Sequence, residues 1–304
     1  MEKSEQDGST IRWSIAQRLE FIEFRLIWEG RINRADISER FGVTVQQATA
    51  DLQHYEKIAP ENVRYDRYAK TFVPGTGFEP QFLKPLADRQ LLQLAAIGTG
   101  SVEPQETWFS DLPPIGVAPI PRRSVLTTTV RWILEAIRTR SAIDIEYQSV
   151  KRPAAIKRSI APHALGHDGT RWHARAWCPK NRCFRDFVLS RMTQMGSLSP
   201  STVDPELDFE WTTEIELVLV ANPELGEGPR RSLAKEYNMA RGRLHLPVRA
   251  AMAFYAVQHL NLDLTLDPAR QQLVLLNKDE VDAACADARV RTLAALREAG
   301  HLLD

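Results

Sequence analysis

Gln46, Thr49, Ala50 and Gln53 fall on one flank of a helical repeat that begins after Thr44. Short and amide-bearing side chains on that flank differ from the Lys/Glu mixture of an ordinary solvated helix. Glutamine can pair with adenine N6 and N7, so Gln46 and Gln53 suit base edges. Gln47 shares the stretch, but it also stands where a T-x-x-Q capping box would claim it. Thr44 and the helix N-terminus suit a phosphate. Arg34, Arg64, Arg67 and Lys70 are candidates for backbone contacts to the same ligand. A second set lies further on. Arg171, His173 and Arg175 alternate with Trp172, Ala174 and Ala176 in a strand-like run, which puts the cations on one face and the apolar side chains on an interior face. Arg185 and Arg191 flank the next strand-like run. Tyr147, Ser149 and His163 add hydroxyl and imidazole groups that hydrogen-bond anions. Several guanidinium forks together select a multiply charged ligand such as a phosphate ester.

The elements around the first set spell a known supersecondary order. Trp13 to Trp28 reads as a helix with the stripe Ile15, Leu19, Ile22, Leu26, ended by Gly30. Asn33 is a helix start with Ile32 and Ile37 as a hydrophobic staple, and Gly42 is a left-handed stop. Thr44 opens the next helix, whose inner face is Val45, Ala48, Leu52 and Tyr55. Val63–Tyr65 and Thr71–Val73 then alternate like strands about a polar turn. Helix, helix-turn-helix and hairpin make a winged helix over residues 1–80, with residues 1–10 polar and expected to be disordered.

Residues 81–122 read as a helix (Pro85 to Ile97) followed by a proline-rich, semi-rigid linker. Residues 123–200 hold a helix from Val125 to Thr139, with Val130, Ile133, Leu134 and Ile137 apolar. Three strand-like runs follow: Ala142–Tyr147, Arg171–Cys178 and Phe184–Ser190. Short strands in so few residues suggest a small barrel or twisted sheet. Residues 201–304 read as an α+β unit, with strands at Glu214–Val220 and Gln272–Leu276. Its helices are Pro229–Tyr237, Ala250–Leu260 and Glu280–Ala299, the last with Val281, Ala284, Val290, Leu293 and Leu296 apolar.

Formal net charge is zero, but residues 121–200 carry fifteen Lys/Arg against five Asp/Glu, and residues 201–304 carry eleven against seventeen. The basic segment either attracts an anion or docks onto the acidic C-terminal part. No apolar run reaches the ~18 residues of a membrane span, and there is no signal-peptide layout. Three cysteines make no disulfide framework, so a cytoplasmic setting is expected. No cofactor fingerprint is present. His163, His167, His173, Cys178 and Cys183 fit no compact zinc site. A Ser149, His163 and Asp168 or Asp186 triad lacks a nucleophile elbow and oxyanion loop, which argues against an enzyme.

The runs Ile160–Leu165, Gly169–Ala176 and Phe184–Met192 resemble a WYL domain, although the naming Trp-Tyr-Leu run is here Trp172-His173-Ala174. The arrangement is similar to WYL regulators associated with bacterial phage-defence islands of the BREX and CBASS kind. That resemblance implies an α+β chain with an N-terminal winged helix, an Sm/SH3-like barrel and a C-terminal dimerisation unit. It further implies a homodimeric repressor on a palindromic double-stranded operator. A WYL pocket built from Tyr147, Ser149, His163, His173, Arg175, Arg185 and Arg191 would sense a nucleotide or oligonucleotide effector. The alternative of a different class is an accessory module that grips single strands or ends for a nuclease or helicase.

Overall fold

The computed structural model describes residues 13–121 and 123–302; the N-terminal stretch expected to be disordered lies outside them. The chain divides between Ile120 and Pro121 into two units.

The first unit is built on α1 (Trp13–Trp28), α2 (Arg34–Phe41) and α3 (Val45–Ile58), followed by the antiparallel hairpin β1 (Val63–Asp66) and β2 (Thr71–Pro74). The start and stop signals work as their chemistry requires. The Asp36 carboxylate accepts from the Asn33 N–H at 2.6 Å, and Gly42 is left-handed at φ 64°. Thr44 Oγ1 accepts from the Gln47 N–H at 3.2 Å. Leu19, Ile22, Leu26, Ile32, Ile37, Ala48, Leu52 and Tyr55 form one core. Val45 departs from the expected inner face: it is 57 % exposed and stands outside the core that Ala48, Leu52 and Tyr55 enter.

Buried polar clamps fix the angle between these helices. Arg18 on α1 holds Asp51 on α3 through two bonds, 2.6 and 3.1 Å. Glu23, fully buried, accepts from the Tyr55 hydroxyl at 3.0 Å and from the N–H groups of Gln81, Phe82 and Leu83 at 2.6–2.8 Å. Asn62 donates to the same tyrosine oxygen and exchanges bonds with the Glu79 backbone. The chain leaving the wing is therefore tied back to α1 and α3. Helix α4 (Ala87–Gly98) follows. The proline-rich stretch beyond it forms only a single 3-10 turn, Pro104–Glu106, as its missing N–H groups dictate. It lies against α1: Trp108 packs edge-on to Phe21 and Phe24.

The second unit begins with α5 (Thr127–Arg138), which covers a five-stranded antiparallel sheet. Its strands are β3 (Ser141–Tyr147), β4 (Ile156–His167), β5 (Trp172–Cys178), β6 (Cys183–Val188) and β7 (Met192–Pro200), in the order β6-β5-β4-β3-β7. Two strands, β4 and β7, were not evident from the pattern, since β4 carries Pro162 and a register shift and β7 carries two register shifts along β3. The interior holds Ile133, Ala136, Ile143, Ile145, Tyr147, Ile160, Ala174, Ala176, Phe187 and Met192. Leu134 is half exposed, and Thr129 takes a buried place on the helix instead. Trp172 is also half exposed. It opens β5 at the sheet end and leans on His167 at 4.7 Å, beyond the cover of α5.

The C-terminal part contains α6 (Phe209–Thr212), β8 (Glu214–Ala221), α7 (Glu227–Glu236), β9 (Arg243–Arg249), α8 (Ala250–His259), β10 (Leu273–Leu275) and α9 (Lys278–Glu298). The sheet runs β10-β8-β9, all antiparallel. Strand β9 was missed in the sequence because Pro247 interrupts Leu244, Leu246 and Val248. At the sheet edge that proline is tolerated. Helices α8 and α9 pack on this sheet through Ala250, Ala253, Val281 and Ala288, while Val290 is 64 % exposed.

Candidate functional site

Helix α3 turns two faces to different tasks. Ala48, Leu52 and Tyr55 are buried, and Gln46, Ala50 and Gln53 are exposed. Neither glutamine makes a hydrogen bond among the described residues, so both amides are free to pair with an incoming edge. Gln47 is engaged: its amide donates to Asp51 Oδ1 at 3.0 Å rather than reaching back to cap the helix. That bond serves the Arg18–Asp51 clamp. The Thr49 hydroxyl donates to the Val45 carbonyl at 2.8 Å, and the residue is half-buried. On the hairpin, Arg64, Arg67 and Lys70 are exposed and form no ion pair among the described residues. Asp66 shapes the wing turn by accepting from the N–H groups of Tyr68 and Ala69, and Lys70 is left-handed at φ 53°. Arg34 is exposed, its guanidinium 5.8 Å from the Phe72 ring. Tyr68, absent from the sequence-derived set, is fully exposed at the wing tip. Its signal was an aromatic inside a polar turn.

In the second unit the cationic face of β5 meets acids of the C-terminal part. Arg175 is buried and bonds Asp208 at 2.8 and 3.0 Å, Glu210 at 3.0 Å and Asp186 at 3.4 Å. His163 lies 3.0 Å from Asp208 Oδ2, and His173 lies 3.0 Å from Asp168 Oδ2. The Tyr255 hydroxyl on α8 donates to Asp186 at 3.1 Å. Burial by itself would raise the Asp208 carboxyl; bonds from His163 and Arg175 outweigh it and hold the group below the carboxylate range. Asp168 is likewise held low against its burial, by His173, the Thr170 N–H and Arg171. Burial and the nearby Asp186 charge push the Tyr255 hydroxyl up.

The remaining pocket residues are dispersed. Tyr147 sits inside the sheet, its hydroxyl accepting from the Val188 N–H at 3.2 Å. Ser149 accepts from the Lys151 N–H in a loop. Arg191 is half-buried on the 3-10 turn between β6 and β7. Arg185 is exposed beside a groove of about 360 Å³. No cluster of three or more His, Cys, Asp or Glu among the described residues has metal-holding geometry.

Three family models match in the order of these domains. They are the BrxR transcriptional regulator winged helix-turn-helix domain over residues 14–96, the WYL domain over 128–196, and the BrxR C-terminal dimerization domain over 214–281. Full-length relatives agree. The DNA-binding transcriptional repressor CapW of Stenotrophomonas maltophilia is 39 % identical over 282 residues, 91 % of this chain and 94 % of that protein. CapW of Escherichia coli strain KTE188 is 37 % identical, covering 92 % and 95 %. CapW of Pseudomonas aeruginosa is 34 % identical, covering 89 % and 91 %. The chain belongs to the BrxR/CapW family of WYL-domain transcriptional repressors.

Within a BrxR/CapW repressor, the three matched domains correspond to the winged helix, the five-stranded sheet and the C-terminal sheet with its helices. Residues 97–127 lie between the first two matches and hold the proline-rich stretch. Among solved structures, proteasome accessory factor B/C (PafBC) of Arthrobacter aurescens aligns at a TM-score of 0.28 and 18 % identity, covering 90 % of this chain and 46 % of that one. At that score the superposition carries no weight. Among the described residues no helix is long and apolar enough to cross a membrane.

Proposed function

We propose that this chain binds a palindromic duplex operator as a homodimer and represses genes of a phage-defence island from the cytoplasm. In this reading residues 1–80 bind DNA, 81–122 connect, 123–200 sense a polyanionic effector and 201–304 dimerise. The observation that carries it is the outward amide flank of α3, where Gln46 and Gln53 are exposed and unpaired beside a wing bearing Arg64, Arg67 and Lys70. Uncharged donor-acceptor groups on a helix read bases, while the arginines and lysine supply sequence-independent attraction. Thr44 and the α3 N-terminus, with Arg34, complete the phosphate contacts. The names of the relatives, each a DNA-binding repressor, support the same reading.

Selection of bound sites from random duplexes is expected to return an inverted repeat with half-sites about one helical turn, or a multiple of it, apart. Gln46→Ala or Gln53→Ala should relax the preference at one position of each half-site, a discrimination loss of about 1–3 kcal/mol per lost bidentate contact. Arg67→Ala should instead weaken every duplex alike and reduce the slope of log affinity against log salt by about one. Equal affinity for the selected site and a random duplex would remove the specific-repressor reading. Tight single-strand binding without a recurring site would favour the accessory module.

The effector arm rests on Arg185, an unpaired guanidinium beside the groove between the WYL sheet and the C-terminal part. A polyanion would lower operator affinity only by binding the DNA-free state more tightly than the bound one.

A further inference from the structure

The groove next to Arg185 has a second wall that the WYL sheet does not provide. Arg289 and Thr292 of α9 line it together with Cys183 and Arg185 of β6 and with Arg175 and Glu210. Arg289, like Arg185, is exposed and makes no hydrogen bond or ion pair among the described residues. The one carboxylate lining the groove, Glu210, is already bonded to Arg175 at 3.0 Å. Two guanidinium groups without an ion-pair partner among the described residues thus share a space of about 360 Å³, whose one lining carboxylate is already bonded; Arg289 also borders the adjoining groove that Asp186 and Asp282 line. Leu293 and Phe184 supply an apolar patch in the same groove. Cations beside an apolar patch match a nucleotide, with its phosphate on the forks and its base against the carbon side chains.

We propose that Arg289 of the C-terminal helix completes the effector site, so that a phosphorylated nucleotide unit is held by both Arg185 of β6 and Arg289 of α9. The proposal rests on the effector reading above and assigns it a residue outside the WYL domain. Helix α9 is placed to transmit the event. Its first half is packed in the C-terminal core through Val281, Ala284 and Ala288. Its far end buries Leu296 against Trp177 and Phe184 of the WYL sheet. Between them Thr292 accepts from the Glu210 N–H at 3.3 Å and donates to the Ala288 carbonyl at 2.9 Å. A ligand held by both arginines therefore pulls on the sheet and on the helix of the dimerisation side together.

The test is titration of the whole 304-residue chain with a 5′-phosphorylated deoxydinucleotide and, separately, with inorganic pyrophosphate, followed by calorimetry. The wild type is expected to bind the dinucleotide more tightly than pyrophosphate. Arg289→Ala and Arg185→Ala should each lower dinucleotide affinity about tenfold or more, the scale of one lost charge-assisted contact. Arg289→Lys should recover part of the loss. Arg270→Ala, an exposed arginine outside the groove, should change nothing, and thermal melts check that each variant folds. Wild-type affinity in Arg289→Ala, or no dinucleotide binding by the wild type, overturns the proposal. Tighter binding of pyrophosphate than of the dinucleotide overturns the nucleotide assignment. Operator release is read separately: dinucleotide binding lost in Arg289→Ala but without any release of operator DNA leaves the two-arginine site standing and sinks the sensor reading alone.

Discussion

Arg175→Ala is expected to lower the unfolding free energy of the 121–304 unit by about 3–5 kcal/mol, the usual cost of stripping one partner from a buried ion pair. The reason lies in what remains. Asp208 is fully buried and would keep only His163 and its own helix-capping bonds. Asp186 would keep Tyr255. The same network sets a pH dependence. Asp168 and Asp208 have folded pKa values held below their unfolded value of about 3.9, so their contribution is complete above about pH 5 and drains away as pH falls below that value. Urea midpoints at pH 7, 5 and 3.5 should show the acid loss, and Asp208→Asn should flatten part of it while lowering the pH 7 value. An Arg175→Ala chain as stable as the wild type would mean that water reaches Asp208. Function follows from the same contacts, because Arg175 joins the WYL strand β5 to α6 of the C-terminal part. The variant should therefore also loosen the dimer, read by sedimentation.

Glu23→Leu is expected to cost the first unit a similar amount, about 3–5 kcal/mol, by leaving three backbone N–H groups and the Tyr55 hydroxyl without their acceptor. Glu23→Gln should cost less, since an amide keeps one oxygen but turns its NH₂ toward backbone donors. Denaturant melts of the full chain, monitored by tryptophan fluorescence with Trp28 and Trp108 in this unit, would measure both. Because Tyr55 belongs to α3 and Asn62 precedes the wing, Glu23→Leu should also weaken operator binding at temperatures well below the melt. Unchanged melts would show that the 81–83 segment is not anchored by this carboxylate.

The winged helix was legible almost residue by residue. Asn33, Gly42 and Thr44 carry local start and stop chemistry, and Ile32, Ile37, Leu52 and Tyr55 carry the burial period. These signals act within a few residues, so neighbours in sequence suffice to read them. Val45 and Gln47 were the local errors. The first stands outside the core that the rest of its helix face enters, and the bond of the second goes to Asp51, which Arg18 holds from 33 residues away. In the second unit, β4, β7 and β9 escaped because bulges and prolines break the alternation that periodicity needs.

The basic segment shows the division most plainly. Composition identified an excess of arginine in residues 121–200 and two competing outcomes for it. Folding realises the second for one arginine and leaves another without a partner. Arg175 is taken by Asp208, Glu210 and Asp186, while Arg185 is left beside a groove. The amino-acid order alone determined the helix ends, the wing and the outward amides, because backbone capping and side-chain period are short-range. Only the tertiary structure decided which cations are neutralised and which stay available, because a guanidinium on β5 finds its carboxylates 33 and 35 positions later, where chain folding and not sequence spacing sets the distance.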